Sequence, residues 1–209
     1  MVLNSRYKKV IKMIGGSNCD VYLYTLGEKK YVIKISGNNS IDDKVGTLIM
    51  DDYLRVRDRL ECSNISVPTL RNIYLTSSIR ANLVVIEDYC GKSLREILRS
   101  ELFSVDNKLS FVSKCIDLVS KFPEDIPLDT NPGNLVVHNS IITFVDFIPP
   151  DPWKYNPDSA IGRKLKKIFI SLNSSDYKNK KLSYYSNKFR IRRLMYHCKN
   201  ICPEIEKYL

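Results

Sequence analysis

The chain has 209 residues and a net charge of +10, with 44% hydrophobic, 10% aromatic and 27% charged residues. These values are typical of a globular protein with one substantial core, and they exclude a largely disordered or a fibrous chain. No apolar run approaches the roughly 18 residues of a membrane-spanning helix, and the basic N-terminus lacks the apolar segment of a signal peptide. We therefore expect a soluble, cytoplasmic protein with no membrane span.

The positive charge is concentrated at the C-terminal end of the sequence. Residues 161–209 contain 13 basic and 3 acidic side chains, whereas residues 1–160 are electrically balanced. A basic segment of this kind attracts phosphate-rich partners such as nucleic acid, a nucleotide or an anionic lipid. Its basic side chains, among them Arg190, Arg192 and Arg193, are expected on an outer helix face, where they would bind an anionic partner or only keep the protein soluble.

The six cysteines are scattered, and without a secretory signal we expect reduced thiols rather than disulfides. Cys198 and Cys202 are four residues apart, which places them on one face of a helix. A metal site with the adjacent His197 is the alternative, although no second cluster completes a zinc site.

In chain order, the first third of the sequence predicts strands. Runs rich in apolar, β-branched and aromatic residues occupy 10–14, 21–25 and 31–35, and a glycine turn at 27–29 joins the last two. From 42 to 61 the apolar residues recur at helical spacing. The later elements are strands at 73–75 and 83–86, helices at 94–99 and 109–122, a hairpin at 135–147, and helices at about 159–172 and 184–200. This order predicts an α+β fold with a β-rich first part and a helical second part.

Local signals mark two of these element boundaries. Ser93, with Glu96 three residues later, predicts a capping box at the start of the helix 94–99. Pro123 ends the helix 109–122, because proline cannot continue a helix.

Two features of the first third favour phosphate binding. The turn formed by Gly15, Gly16, Ser17 and Asn18 separates two predicted strands, and glycine turns let backbone N–H groups approach a phosphate. Lys34 lies inside the apolar run YVIKI, where a lysine is unusual. Either feature alone is common, since hairpins contain glycines and strands have outward-facing lysines.

Acidic and amide side chains cluster in a second region. Asp129 and Asn134 are five residues apart in a loop that proline and glycine stiffen, directly before a predicted strand. Asp146 ends the apolar run ITFV, and a carboxylate at the end of a buried strand needs a partner. Together the three side chains offer oxygen ligands for a hard divalent cation and one carboxylate that can accept a proton.

These features, taken in order, resemble the motifs of the protein-kinase-like superfamily. Asp129 and Asn134 match the D-x-x-x-x-N of the catalytic loop, Asp146 matches the aspartate of D-F-G, and Lys34 matches the lysine of V-A-I-K. The run LVVIEDY at 83–89 resembles the last strand of an N-lobe as it enters the hinge. The resemblance implies a two-lobed fold with an N-lobe at 1–86, a hinge at 87–91 and a C-lobe at 92–209.

The sequence also departs from the family pattern. Pro127 and Leu128 stand where His-Arg usually precedes the catalytic aspartate, Ile148 replaces the glycine of D-F-G, and no A-P-E motif follows. The short GGSNCDVY loop is similar to the loops of aminoglycoside and choline kinases. With little chain left for peptide docking, the protein resembles minimal kinases such as the RIO type, the small kinase of the tRNA threonylcarbamoyl-adenosine machinery and the lipopolysaccharide-core kinases.

The resemblance implies a Mg-ATP-dependent phosphotransferase that moves the γ-phosphoryl group to an acceptor hydroxyl. Asp129 would take the acceptor proton, Lys34 would contact the phosphates, and Asn134 and Asp146 would bind magnesium. The remaining nucleotide contacts would come from the glycine turn and from the strand and hinge residues Ile86, Glu87 and Tyr89.

Kinases pair the phosphate-binding lysine with an acidic residue on the following helix. In this chain Asp52 lies four residues after Leu48 and four before Val56, on the apolar face of that helix. An unpaired carboxylate there would be costly. We therefore expect Asp52 to pair with Lys34, and Glu61 is the alternative.

Two other classes of function remain open at this point. The weak glycine loop, the missing glutamate and Ile148 favour a pseudokinase or nucleotide-binding interaction module. The basic segment 161–209 favours a nucleic-acid-binding protein with a kinase-like scaffold. The acceptor of an active enzyme would be a small molecule or a dedicated macromolecular partner, and the basic segment is consistent with an anionic one.

Overall fold

A computed structural model of the chain describes residues 8–13, 19–36, 43–76, 82–126, 128–146 and 186–209. The fold is mixed α+β, with an antiparallel five-stranded sheet, a small three-stranded sheet and four α-helices among these residues. The chain divides into two compact units. Unit 1 comprises Met1–Asp52 and Pro68–Tyr89, and unit 2 comprises Tyr53–Val67 and Cys90–Leu209.

Unit 1 is built on the five-stranded sheet, in which the strand order is β1-β2-β3-β5-β4 and every neighbouring pair is antiparallel. Gly27, with a φ of 61°, makes the turn between β2 and β3 and so supplies the left-handed conformation that glycine tolerates best. The strands are β1 (Lys8–Lys12), β2 (Cys19–Leu26), β3 (Lys29–Ser36), β4 (Leu70–Leu75) and β5 (Leu83–Asp88).

The interior strand β5 is the most buried part of this sheet. Leu83, Val84 and Val85 are at most 5% exposed, and Glu87 is 1% exposed. The edge strand β1 is exposed along its length. Lys34 of β3 lies opposite Val85, and Val32 lies opposite Glu87, so Lys34 and Glu87 are diagonal neighbours on one face of the sheet.

The helix α1 (Asp43–Cys62) belongs to unit 1 up to Asp52 and to unit 2 from Tyr53 onward. In the unit 2 part, Tyr53, Val56 and Leu60 are at most 1% exposed and recur at helical spacing. The apolar periodicity predicted this helix, and its buried stripe in unit 2 is the reason for that periodicity.

Unit 2 combines helices with a small sheet in the order β6-β7-β8. Its α-helices are α2 (Leu94–Arg99), α3 (Val105–Val119) and α4 (Asn187–Ile201), and its strands are β6 (Lys92–Ser93), β7 (Leu135–His138) and β8 (Ile141–Phe144). Two 3-10 helices cover Pro132–Asn134 and Pro203–Tyr208. The predicted hairpin is confirmed: Asn139 and Ser140 turn the chain between β7 and β8 with positive φ values of 47° and 66°.

The start of α2 shows the predicted capping box. The Ser93 hydroxyl accepts a hydrogen bond from the Glu96 N–H, and the Glu96 carboxylate accepts one from the Ser93 N–H. Just upstream, Gly91 has a φ of 116°, and a Cβ atom there would lie 2.5 Å from the Val137 carbonyl oxygen. Glycine is therefore required where the chain passes β7.

The core of unit 2 lies where α3, α4 and the small sheet pack together. Its fully buried side chains include Val112, Val119, Phe122, Phe144 and Leu194. All six cysteines lie within the described residues, and none forms a disulfide there. Cys198 is buried on α4, and burial raises the pKa of its thiol to about 12. The thiol is therefore protonated at neutral pH and packs as an apolar group.

Several predicted boundaries shift. The strand predicted at 73–75 begins at Leu70, and the helix predicted at 109–122 begins earlier, at Val105, after its N-cap Ser104. The helix predicted at 159–172 lies outside the described residues. Among the residues that are described, no helix is long and apolar enough to span a membrane.

Candidate active site

The loop that joins α3 to β7 is organised by two of its own polar side chains. Asp129 Oδ1 accepts a hydrogen bond from the Asn131 N–H at 3.1 Å. Asn131 Oδ1 in turn accepts one from the Gly133 N–H at 3.0 Å and caps the 3-10 helix Pro132–Asn134. These local bonds fix the backbone around Asp129, since short polar side chains bond the main chain two residues on.

Asn134 links the two predicted acidic residues of unit 2. Its Nδ2 donates to the Asp129 carbonyl oxygen at 3.0 Å and to Asp146 Oδ2 at 3.3 Å. Its own carbonyl oxygen accepts from the Val145 N–H at 3.0 Å. The three residues that the sequence analysis grouped are therefore brought together in unit 2.

The β7–β8 hairpin explains why residues twelve positions apart meet. Leu135 pairs with Phe144, so Asn134 before β7 and Asp146 after β8 lie at the same end of the hairpin. The turn and the hydrophobic pattern of the two strands set this register.

The donor set at this end of the hairpin fits magnesium. Mg²⁺ usually keeps several waters and uses one or two carboxylates together with substrate phosphates, and the Asp146 carboxylate and the Asn134 amide oxygen are donors of that kind. Within the described part of the chain, no group of three or more His, Cys, Asp or Glu side chains could hold a metal by itself.

Two arginines, which the sequence analysis did not place here, bond to the same loop. Arg193 Nη2 of α4 lies 3.2 Å from Asp129 Oδ1, and the two side chains are 23% and 30% exposed. Arg95 Nη2 of α2 donates to Asn131 Oδ1. The sequence contains no local signal for either contact, because each arginine lies on a helix far from the loop in the sequence.

Arg190 is a correction to the predicted outer basic face. Its side chain is 0% exposed, and its guanidinium donates to the carbonyl oxygens of Pro123 and Ile126 and to Asn187 Oδ1. The Arg190 carbonyl oxygen also accepts from the Thr130 hydroxyl at 3.0 Å. The prediction was wrong for Arg190 because the guanidinium satisfies backbone carbonyls that end the α3 region. Arg192 is exposed, as expected.

His197 lies one helical turn after Arg193 on α4. Burial lowers the pKa of its imidazole, the positive charges of Arg193 and Arg95 lower it further, and the negative charge of Asp129 acts in the opposite direction. His197 is therefore neutral at pH 7 and lies within the electrostatic field of the Asp129 loop.

In unit 1, Lys34 forms an ion pair with Glu87. Lys34 Nζ lies 2.7 Å from Glu87 Oε2, and the two side chains are 11% and 1% exposed. The acidic partner was expected on α1, but this one comes from the neighbouring strand, because diagonal positions on one sheet face are within reach of long side chains. Glu87 had been predicted as a hinge contact of the nucleotide.

The two acidic residues expected to partner Lys34 lie on α1. The first of them, Asp52, is half-buried, whereas its neighbour Asp51 is exposed. The pairing of Asp52 with Lys34 stays a prediction. Glu61 is exposed and forms an ion pair with Arg57 at 2.7 Å.

The residues predicted to contact adenine do not share one face of the sheet in unit 1. Ile86 lies on the opposite sheet face from Lys34 and Glu87, since side chains alternate along β5. The Tyr89 N–H donates to the Lys30 carbonyl oxygen at 3.1 Å, so it can bond adenine only if that bond is given up. Gly15, Gly16, Ser17 and Asn18, predicted to contact the phosphates, lie outside the described residues.

No protein-family model matches this chain, and no curated protein sequence matches it at a significant level. The resemblance to kinases therefore rests on the motif residues of the sequence.

Proposed function

We propose that the chain is a Mg-ATP-dependent phosphotransferase with a two-lobed, protein-kinase-like fold. The observation that carries the proposal is the Asn134 side chain, which bonds both the Asp129 backbone and the Asp146 carboxylate. A loop carboxylate, an amide and a strand-end carboxylate in this arrangement are the groups that phosphoryl transfer needs.

The residues of unit 2 would have two roles, one in binding the metal and one in taking the proton of the acceptor. Asn134 and Asp146 would hold magnesium, which when bound neutralises charge on the phosphates. Asp129 would accept the proton of the acceptor hydroxyl. As the acceptor oxygen bonds the γ-phosphorus, the bond to the β,γ-bridging oxygen breaks and ADP leaves. The Asn131 N–H supports this role, because it holds the Asp129 carboxylate in one orientation.

The residues of unit 1 would serve the nucleotide. Lys34 would contact the phosphates, and Glu87 would hold its ammonium group in place, as the acidic partner on the helix does in other kinases. Catalysis would then consist mainly of positioning and charge neutralisation.

Asp146→Ala tests the proposal through magnesium-dependent ATP hydrolysis, a readout that needs no known acceptor. The variant should lose turnover, because neither water nor a carbonyl replaces the charge of the main anionic ligand. Asn134→Ala should lose less, since it removes a neutral ligand. Asp117→Ala, an exposed carboxylate on α3, is the matched control and should retain activity. Wild-type hydrolysis by Asp146→Ala would refute the metal role.

A nucleotide-binding interaction module is the second candidate, favoured by Ile148 in place of the glycine of D-F-G. The same assay separates the two, since a module would bind Mg-ADP without hydrolysing ATP. Nucleic-acid binding through residues 161–209 has less support, because Arg190 and Arg193 contact the protein itself.

A further inference from the structure

Two guanidinium groups from different helices converge on one short loop segment. Arg193 of α4 pairs with Asp129, and Arg95 of α2 bonds Asn131, whose own N–H donates to Asp129. The predicted proton acceptor therefore pairs with one permanent positive charge, and a second one bonds the residue two positions further on. Such a concentration of charge is more than the loop geometry requires, since the Asn131 and Gly133 N–H groups already brace it.

The cluster is also within reach of a ligand. Arg193 and Asp129 retain 23% and 30% of their side-chain exposure, and Arg95 and His197 are half-buried. Arg190, only three residues before Arg193, is fully buried against backbone carbonyls and serves the fold. The contrast separates an arginine that holds the core from arginines that can meet a solute.

His197 adds a third group of suitable chemistry. It is one turn from Arg193 on α4, and its neutral imidazole can donate a hydrogen bond to an anion. The charged groups that act on it are Arg193, Arg95 and Asp129. An anion bound between the arginines would favour the protonated imidazole and would therefore raise the pKa of His197.

We propose that Arg95, Arg193 and His197 bind an oxyanion, a phosphate or a carboxylate, carried by the acceptor whose hydroxyl group meets Asp129. Guanidinium forks bind such groups in a bidentate manner. The oxyanion would compete with the Asp129 carboxylate for Arg193, so that acceptor binding would release Asp129 to take the hydroxyl proton. This inference rests on the proposed phosphotransferase function.

The test uses inorganic phosphate and the full chain, which contains only two histidines. The imidazole Cε1–H resonances of His197 and His138 are followed by NMR against pH, with and without phosphate, at constant ionic strength. Phosphate should move the His197 titration midpoint upward and leave that of exposed His138 unchanged. An unmoved His197 midpoint at saturating phosphate would overturn the site.

Matched variants locate the phosphate. Arg95→Gln and Arg193→Gln should each lower the affinity for phosphate, measured from the His197 midpoint at increasing phosphate concentration, about tenfold or more. This is the usual loss with one charge-assisted hydrogen bond. Arg192→Gln, an exposed neighbour on α4, and the double variant Lys34→Met/Glu87→Leu in unit 1 should retain the response. The native His138 resonance in each variant reports an intact fold. Equal responses in Arg192→Gln and Arg193→Gln would overturn the assignment.

Saturating Mg-ADP separates this inference from the proposed function. A phosphate response that persists with nucleotide bound supports an acceptor site, whereas its loss would assign the anion to the nucleotide and overturn that site. Phosphate binding by a chain that neither binds nor hydrolyses ATP would refute the phosphotransferase and leave an anion site. ATP hydrolysis with an unresponsive His197 would refute the anion site alone.

Discussion

Glu87 shows how strongly a single side chain depends on its surroundings. It lies in the interior strand β5 with 1% exposure, and its carboxylate faces the ammonium group of Lys34 at 2.7 Å. Two charges leave water at this point, and only their mutual attraction and further hydrogen bonds offset the cost. The pair therefore fixes the position of the Lys34 ammonium group and contributes little to the net stability.

Removal of one partner should reveal this balance. Glu87→Ala should destabilise unit 1 by about 3 kcal/mol, because it removes the carboxylate that faces a buried ammonium group. The double variant Lys34→Met/Glu87→Leu should recover most of the loss, since well-packed apolar residues often replace a buried pair without cost. Urea unfolding followed by circular dichroism measures both.

The exposed pair between Lys12 and Asp20 in the same sheet is the control for that experiment. Asp20→Ala should change the unfolding midpoint little, because solvent screens an exposed pair. If Glu87→Ala proves as mild as Asp20→Ala, the buried pair does not have the role given to it here.

At the scale of the element, α4 changes the interpretation of the C-terminal charge. The helix has basic side chains all along its length, but Arg190 points into the core and Arg193 reaches the Asp129 loop. Only Lys188 and Arg192 among its first six residues are exposed. The helix thus binds the segment that carries Asp129, through Arg193 and the Arg190 carbonyl oxygen. Part of the positive charge of α4 is therefore buried or paired within the protein.

Arg190→Ala should therefore destabilise unit 2 by about 3 kcal/mol or more, since it leaves buried carbonyl oxygens without their donors. Arg190→Lys should recover only part of this, because one ammonium group lacks the planar fork that reaches both Pro123 and Ile126. Arg192→Ala, whose guanidinium lies over the Phe189 ring at the surface, should stay within about 0.5 kcal/mol. Thermal unfolding of the three variants is the measurement, and equal losses for Arg190→Ala and Arg192→Ala would contradict the buried role.

At the scale of the whole molecule, the proposed chemistry draws on side chains from both units. Lys34 and Glu87 belong to unit 1, whereas Asp129, Asn134 and Asp146 belong to unit 2. The nucleotide role and the proton-transfer role should therefore be separable by substitution, since their groups belong to different units.

Asp129→Asn should lower ATP turnover by roughly 10²-fold, within the usual range for a positioned acid/base group, and should leave nucleotide affinity almost unchanged. Lys34→Met should weaken nucleotide binding as well, because it removes a positive charge from the phosphates. Steady-state hydrolysis and calorimetric titration with Mg-ADP distinguish the two effects. Wild-type turnover by Asp129→Asn, combined with a lower melting temperature, would show that Asp129 only braces its loop.

Local patterns in the sequence predicted most of the described helices and strands and the proximity of Asn134 to Asp146. The capping box at Ser93, the hairpin between β7 and β8, and the meeting of Asn134 with Asp146 all depend on residues close in the chain. Turn chemistry and hydrophobic period determine such features without help from distant residues.

Only the tertiary structure decided the partners of the charged side chains. Glu87 faces Lys34 because β5 pairs with β3, and Arg193 meets Asp129 because α4 packs in unit 2 beside a loop far earlier in the chain. The same packing buried Arg190, which the charge pattern alone had placed at the surface. A sequence shows that a charge is present, but the partner depends on which strands and helices become neighbours, and that is settled by packing of the whole unit.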